Sequence, residues 1–264
     1  MIVKGIILLG VNARMNLEIL EEIVPYKIRI SERVFCSAVI VAGGKGTRME
    51  SKINKVFMEI CEKQTILRVL DVFQENSLIN EIILVVNERD KDYCEQVVDK
   101  NIYTKLKKVL SGGKRRQDSV SNGLKKVSEE AVVVLVHDGA RPLVTHDIIQ
   151  RSIEEAVKYE AVTTAVPVKD TIKISDADGF VCETPERNTL WAVQTPQVFK
   201  KELLLEAYNN AENLNIQATD DAMLVERLGH KIKLVEGSYE NIKITTPEDI
   251  AIAEAILKYR EIGY

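Results

Sequence analysis

Histidine is scarce in this 264-residue chain, and the three present, His137, His146 and His230, show no zinc-pair spacing. The four cysteines, Cys36, Cys61, Cys94 and Cys182, stand far apart with no C-x-x-C pair. That argues against a zinc site or a disulfide framework and suits a reducing compartment. No apolar run approaches the ~20 residues of a membrane-spanning helix. The opening MIVKGIILLGV carries one lysine, and no small-residue cleavage site follows it. Positive charge is not in surplus either. A net charge of −4 gives no general pull towards nucleic acid or an anionic membrane. The expectation is a cytoplasmic protein acting on small molecules, with any anion site built from a local cluster of lysines and arginines.

What the chain does have is an ordinary globular balance, 45% apolar and 29% charged, and length enough for one large α/β domain or two small ones. From Ser37 onward, β-branched runs at 37–42, 81–86, 131–137, 161–168 and 231–236 predict strands. Several are apolar throughout, as in a parallel sheet covered on both faces. Helical patterns fall between them at 64–76, 91–99, 116–127, 146–159, 201–210 and 220–228. Thr145 is placed to cap the fourth of these. The alternation predicts a doubly wound α/β sheet. After Val168 the rhythm breaks. TIKIS and FVCETPE flank Asp176-Ala177-Asp178-Gly179, which predicts a projecting hairpin arm in need of a partner surface, hence a dimer. Residues 1–36 do not share the pattern. They form an extension of unassigned role, in which 15–30 reads either as a short amphipathic helix or as an upstream stretch from a wrongly chosen start codon.

Ligands of open α/β sheets bind beyond the carboxyl ends of strands, and four segments fall there. VAGGKGTRMESKINKV (41–56) has the glycines of a phosphate loop. It lacks both the Lys-Ser/Thr pair of a Walker loop and the third glycine of a dinucleotide fingerprint. Gly43, Gly44 and Gly46 let backbone N–H groups approach an anion, with Arg48, Lys52 and Lys55 to hold it. The plain alternative is a tight turn with solvated basic residues. SGGKRRQDSV (111–120) follows a strand-like run, and Asp118 or Ser119 opens a helix there, with Arg116 free to meet a base or phosphate. VHDGARP (136–142) sets Asp138 at a strand end, where a carboxylate suits Mg²⁺ shared with substrate phosphates. His137 is read as a structural hydrogen-bonder. NIKITTPEDI (241–250) starts a helix at Thr246-Pro247, with Lys243 on a strand just before it.

Taken in order, AGGKGTRM, GGKRRQDSV, VHDGARPLV, PVKDTIK, RNTLWAVQTPQVF, ATDDAMLVE and NIKITTPEDIAIAEAIL resemble the 2-C-methyl-D-erythritol 4-phosphate cytidylyltransferase (IspD) family from Ser37 to about Leu257. The resemblance implies a Rossmann-like, mostly parallel α/β fold over 37–264. It also implies a homodimer whose arms, about 168–191, are exchanged across the interface. CTP and a divalent cation, Mg²⁺, are implied, with Asp138 as metal ligand. Arg48 and Lys55 would stabilise the transition state, and Arg187 and Lys243 would position the sugar phosphate. Ala42, Gly43, Gly44, Gly46, Gly113, Asp118, Ser119 and Gly139 would bind the nucleotide. Arg141, Asp170, Thr171 and Thr195 would contact the other substrate, with Thr171 and Arg187 supplied by the partner's arm.

Two positions depart from the family pattern. Asn54 stands where proline usually precedes the first-loop lysine, and Gly139 where alanine is common. Two other functions compete: a ribitol-5-phosphate cytidylyltransferase, disfavoured by PVKDTIK and RNTLWAVQTPQVF, and a nucleotide-binding regulator without catalysis, disfavoured by the complete set of charged residues.

Overall fold

The computed structural model of the chain describes residues 34–44 and 54–262. β1 (Cys36–Ala42) is followed by a short ribbon, β2 (Glu59–Ile60) and β3 (Lys63–Gln64), and by α1 (Thr65–Glu75). Then come β4 (Glu81–Val86), α2 (Lys91–Val97), β5 (Leu106–Ser111), α3 (Arg116–Leu124), β6 (Val133–Asp138), α4 (His146–Tyr159) and β7 (Ala161–Pro167). The arm holds β8 (Ile174–Ser175) and β9 (Val181–Glu183). The chain returns through β10 (Trp191–Lys200), α5 (Lys201–Asn213), α6 (Asp221–Glu226), β11 (Lys233–Glu236) and α7 (Pro247–Glu261).

Seven strands make one sheet in the order β11-β7-β10-β6-β1-β4-β5. All pairs are parallel except those of β10, which runs antiparallel to both β6 and β7. The period of two along each strand sorts the core into two layers. Ala38, Ile40, Ile82 and Leu84 meet Ile66, Phe73 and Ile149 of α1 and α4 on one face. Val39, Val41, Ile83 and Val85 meet Val120, Leu204 and Val225 of α3, α5 and α6 on the other. Burial on both faces is why these strands carry almost no polar residue.

Chain order reverses at β1: β4 and β5 are laid to one side and β6 to the other. The reversal opens a crevice at the carboxyl ends of β1 and β6, which run level, Val41 beside Asp138. Ala42, Gly43, Gly44, Lys55, Ser119, Asp138 and Lys243 converge there.

The expected doubly wound sheet is present, with three local corrections. β10, the strand beside β6, lies within a stretch expected to belong to the departure from the sheet. Its Gln194, Thr195, Pro196 and Gln197 break the apolar pattern, and the register slips between Val193 and Gln197. Proline enters sheet strands at such irregularities. α3 begins at Arg116, so Asp118 and Ser119 lie inside its first turn rather than opening it. Lys243 is on an extended loop and not a strand, because β11 has already ended at Glu236 and Ile244 N–H donates to Ala140 O (2.8 Å) across the site.

The arm is a two-stranded ribbon, as expected. Asp176 Oδ1 accepts from the N–H groups of Asp178 (3.0 Å) and Phe180 (2.9 Å). Gly179 takes the left-handed φ of 87° that the turn requires. Ile174, Phe180, Val181 and Val193 are exposed on or beside it.

Candidate active site

β1 delivers Ala42, Gly43 and Gly44 to the crevice. Gly46, Thr47, Arg48 and Lys52, assigned to the same loop, lie outside the described residues. Asn54 leads into a 3-10 turn, Lys55–Phe57, whose Val56 and Phe57 are buried. Lys55 sits between buried neighbours and faces the crevice.

The second loop is held by Ser119. Its Oγ accepts from Gly113 N–H (3.1 Å) and donates to Arg115 O (3.1 Å), folding the glycine pair over the start of α3. Only glycine fits at 113, because an added Cβ would lie inside the Asp118 side chain. The Asp118 carboxylate accepts from Arg115 N–H (3.1 Å) and pairs with the Arg115 guanidinium (2.7 Å). That hydrogen bond holds its carboxyl below the usual carboxylate range.

At the end of β6, both oxygens of Asp138 are engaged. Oδ1 accepts from Arg116 Nε (2.9 Å) and Oδ2 from Lys243 Nζ (2.6 Å). Burial opposes the Asp138 charge, but the two cations outweigh it and the carboxyl stays well below its usual range. Arg116 also pairs with Asp221 at 2.9 Å, and Asp221 accepts from Tyr208 OH at 2.5 Å. Burial likewise opposes the guanidinium charge and is outweighed by Asp221 and Asp138. The result is an alternating row, Lys243⁺, Asp138⁻, Arg116⁺, Asp221⁻, running from the crevice into the core.

Backbone placement of Asp138 depends on a buried polar triad. Asp138 N–H donates to Thr195 Oγ1 (3.0 Å), Thr195 Oγ1 meets His137 Nδ1 (3.1 Å), and His137 Nε2 meets Arg141 O (3.2 Å). Burial pushes the imidazole down to about 4, so it is neutral at pH 7. One arrangement satisfies all three contacts. A carbonyl oxygen only accepts, so Nε2 carries the proton and Nδ1 accepts the Thr195 hydroxyl hydrogen. The structural reading of His137 fits this, and Thr195 has only an oxygen lone pair left for a ligand.

Lys243 is aimed by its loop. Asn241 Nδ2 donates to Thr195 O (2.9 Å) and Gln194 Oε1 (3.2 Å), while Arg141 Nη1 donates to Asn241 O (2.7 Å). Burial lowers the Arg141 pKa, and this bond ties its guanidinium to the loop that carries Lys243. Gly139 also packs rather than gapes: an added Cβ would come within 3.0 Å of Ala42 Cβ and 3.1 Å of Ile66 Cδ1.

These elements enclose a cavity of about 290 Å³ that gathers Ala42, Gly43, Gly44, Lys55, Ser119, Asp138 and Lys243. Lys114, Arg115 and Arg116 also line it, so five cations face one carboxylate in a protein of net charge −4. An adjoining cavity of about 240 Å³ shares Arg116, Asp138 and Lys243 and adds Arg141, Thr195 and Asp220. Asp118 opens instead onto a separate cleft between α3 and α5. Asp170, Thr171 and Arg187 are exposed on the arm and line none of these cavities; Arg187 Nη1 donates to Lys169 O (3.2 Å). Arg116 and Asp221 are the residues whose weight sequence reasoning underestimated. Both lay in motifs already singled out, but their pairing is visible only in three dimensions.

The sequence pattern of the IspD family, described as 2-C-methyl-D-erythritol 4-phosphate cytidylyltransferase, matches residues 36–259. The chain belongs to this family. It is 49% identical over 223 residues to the 2-C-methyl-D-erythritol 4-phosphate cytidylyltransferase of Caldanaerobacter subterraneus subsp. tengcongensis, covering 84% of this chain and 98% of the relative. The enzyme of that name from Clostridioides difficile is 50% identical over 221 residues, 84% of this chain and 93% of its own length. Among solved structures, the 4-diphosphocytidyl-2C-methyl-D-erythritol synthase of Anaerococcus prevotii superposes with a TM-score of 0.76 at 35% identity, covering 87% of this chain and 99% of that one. The IspD fold thus accounts for the sheet and its crevice. Among the described residues, no helix is long and apolar enough to cross a membrane.

Proposed function

We propose that this chain transfers CMP from CTP to 2-C-methyl-D-erythritol 4-phosphate, releasing pyrophosphate, in the cytoplasm. The observation that carries the reading is the cavity at the sheet's reversal point, where five cations surround one strand-end carboxylate. A phosphate oxygen of the sugar phosphate attacks the α-phosphorus of CTP. The bond from that phosphorus to the bridging oxygen breaks, and pyrophosphate leaves with the electron pair. The nucleophile is already anionic, so no general base is needed. The task is to bring two anions together in line and offset charge growing on the leaving group.

Gly43, Gly44 and Lys55 take the triphosphate, and the family resemblance assigns Arg48 to the same task. Lys243 faces both cavities and positions the incoming phosphate. Gly113 and Ser119 shape the cytidine pocket together with the backbone at Gly139, and Asp118 secures it by capping α3.

The residues present fit a divalent cation. Among the described residues no group of three or more His, Cys, Asp or Glu could hold a metal alone. A single hard carboxylate with substrate phosphates is, however, the usual way of binding Mg²⁺. Asp138 would hold it, with Arg116 or Lys243 releasing one oxygen. Bound there, the ion would neutralise phosphate charge and orient the α-phosphate.

Residues 37–264 form the catalytic domain in this reading, with the extension 1–36 outside it and the arm at about 168–191. The exposed apolar side chains of the arm favour docking on a second copy. Thr171 and Arg187 would then reach the partner's second cavity, completing a site that one chain leaves without them.

The test is pyrophosphate release with CTP and each sugar phosphate, with Mg²⁺ and with a chelator. Turnover of methylerythritol phosphate that stops on chelation is expected. Turnover of ribitol 5-phosphate alone, or tight CTP binding with no pyrophosphate from either, would overturn the assignment.

A further inference from the structure

We propose that Asn54 is a positioning residue that holds Lys55 in the nucleotide cavity, doing with side-chain hydrogen bonds what proline does with its ring. Asn54 is 3% exposed, and its amide is used on both sides. Nδ2 donates to Asp90 Oδ2 at 2.8 Å, a charge-assisted bond, and at 3.4 Å to Ala42 O. Oδ1 accepts from Val56 N–H at 3.4 Å, and Asn54 O accepts from Phe57 N–H at 2.8 Å. The 3.4 Å contacts are long and weak, so the Asp90 bond is the anchor.

The three attachment points explain the choice of residue. Ala42 ends β1 and lines the same cavity as Lys55. Asp90 belongs to the turn that leads into α2. Val56 and Phe57 are buried, and the Phe57 ring packs edge-on against Tyr93 of α2 at 5.0 Å. Lys55 is therefore fixed from its N-terminal side by Asn54 and from its C-terminal side by two core residues. The backbone agrees: Asn54 has φ −64° and ψ 132°, and proline locks φ at about −65°. The departure from the family's proline keeps the conformation and changes what enforces it.

This inference rests on the proposed role of Lys55, and its test separates the two. Steady-state kinetics with CTP are measured for Asn54→Ala, Asp90→Ala, Asn54→Pro, Lys55→Ala and the Asn54→Ala/Lys55→Ala double variant, with melting curves for each. Asn54→Ala and Asp90→Ala are expected to lower kcat about 10-fold, with KM for the sugar phosphate within about 3-fold, as for a displaced catalytic group. Asn54→Pro is expected to recover most of that loss, and the double variant to be no slower than Lys55→Ala. Parental kcat in Asn54→Ala beside a large loss in Lys55→Ala overturns the role of Asn54 alone. Losses that multiply in the double variant overturn it too, because Asn54 would then act independently of Lys55. Parental kcat in Lys55→Ala overturns both readings. If Asn54→Ala does not fold, Asp90→Ala removes the same anchor from the other side and carries the same outcomes.

Discussion

Replacing Arg116 by methionine tests whether the alternating charge row is a structural unit. Methionine keeps the unbranched apolar stem of the side chain and removes the charged guanidinium. Asp221, 1% exposed, is then left with only the 2.5 Å bond from Tyr208 among its described side-chain partners, and Asp138 with only the 2.6 Å bond from Lys243. Removing one partner of a buried ion pair costs about 3–5 kcal/mol, because the other charge stays desolvated. Domains have only about 5–15 kcal/mol in total. At this size each kcal/mol moves the midpoint by about 2–4 °C, so a fall of about 6–20 °C is expected. Circular dichroism melting at pH 7 measures it. Adding Asp221→Asn removes the orphaned charge and should restore part of the loss, which simple loss of packing would not allow. The pH dependence has a definite sign. The Asp138 carboxyl is depressed in the folded state, so its contribution is complete above the unfolded value of about 3.9 and is lost as pH falls towards the folded one. Without Arg116 that acid slope should shrink. A variant melting within about 2 °C of the parent, or a double variant less stable than Arg116→Met, would refute the reasoning.

Other expectations follow from single observations. His137 is buried with its pKa pushed down to about 4, so stability is full above the unfolded value near 6.5 and is lost as pH falls from there to about 4; His137→Gln should flatten about 3 kcal/mol of that slope in urea titrations. Lys55→Ala should lower kcat on the order of 10²-fold with its melting curve little changed, and mixing it with Arg187→Ala should regain activity if arms cross between subunits; no rescue in the mixture counts against a shared site. Gly113→Ala should lift the loop off α3, because its Cβ meets the Asp118 side chain, raising KM for CTP more than it lowers kcat; unchanged KM would remove that loop from the nucleotide site.

Legibility followed the locality of each interaction. The β-branched runs gave five strands of the main sheet, and Thr145 caps α4 by accepting from Ile148 N–H (3.3 Å), as its position suggested. Thr246, Pro247 and Asp249 start α7 through contacts within four residues. β10 was hidden because its polar residues look like loop residues until their partners are known. Gln197 is fully buried, and its amide serves Thr163, Asp220, Asp221 and Ala222, all distant in sequence. Asp138 and Lys243, 105 residues apart, meet only because the α7 loop is pinned to the end of β6. Asn54 could be seen as a departure from a motif, but the compensating Asp90 could not.

The charge row also determines how the reaction should respond to pH. The carboxylate, guanidinium and imidazole at the end of β6 are each carried away from neutrality. Asp138 is held low by Arg116 and Lys243 despite its burial, Arg116 is held high by its two carboxylates, and His137 is pushed down to about 4. A site of fixed charges needs no proton to move during turnover, which agrees with an anionic nucleophile and a pyrophosphate leaving group. We therefore expect kcat to be flat between pH 7 and 8.5. On the acid side, activity should fall only as the substrate phosphate gains its second proton, near pH 6 for phosphate monoesters. Steady-state rates across pH 5.5–9 at saturating CTP decide the matter. A bell centred on neutrality would mean that a protein group exchanges a proton in the rate-limiting step, and the fixed-charge account of this site would fail.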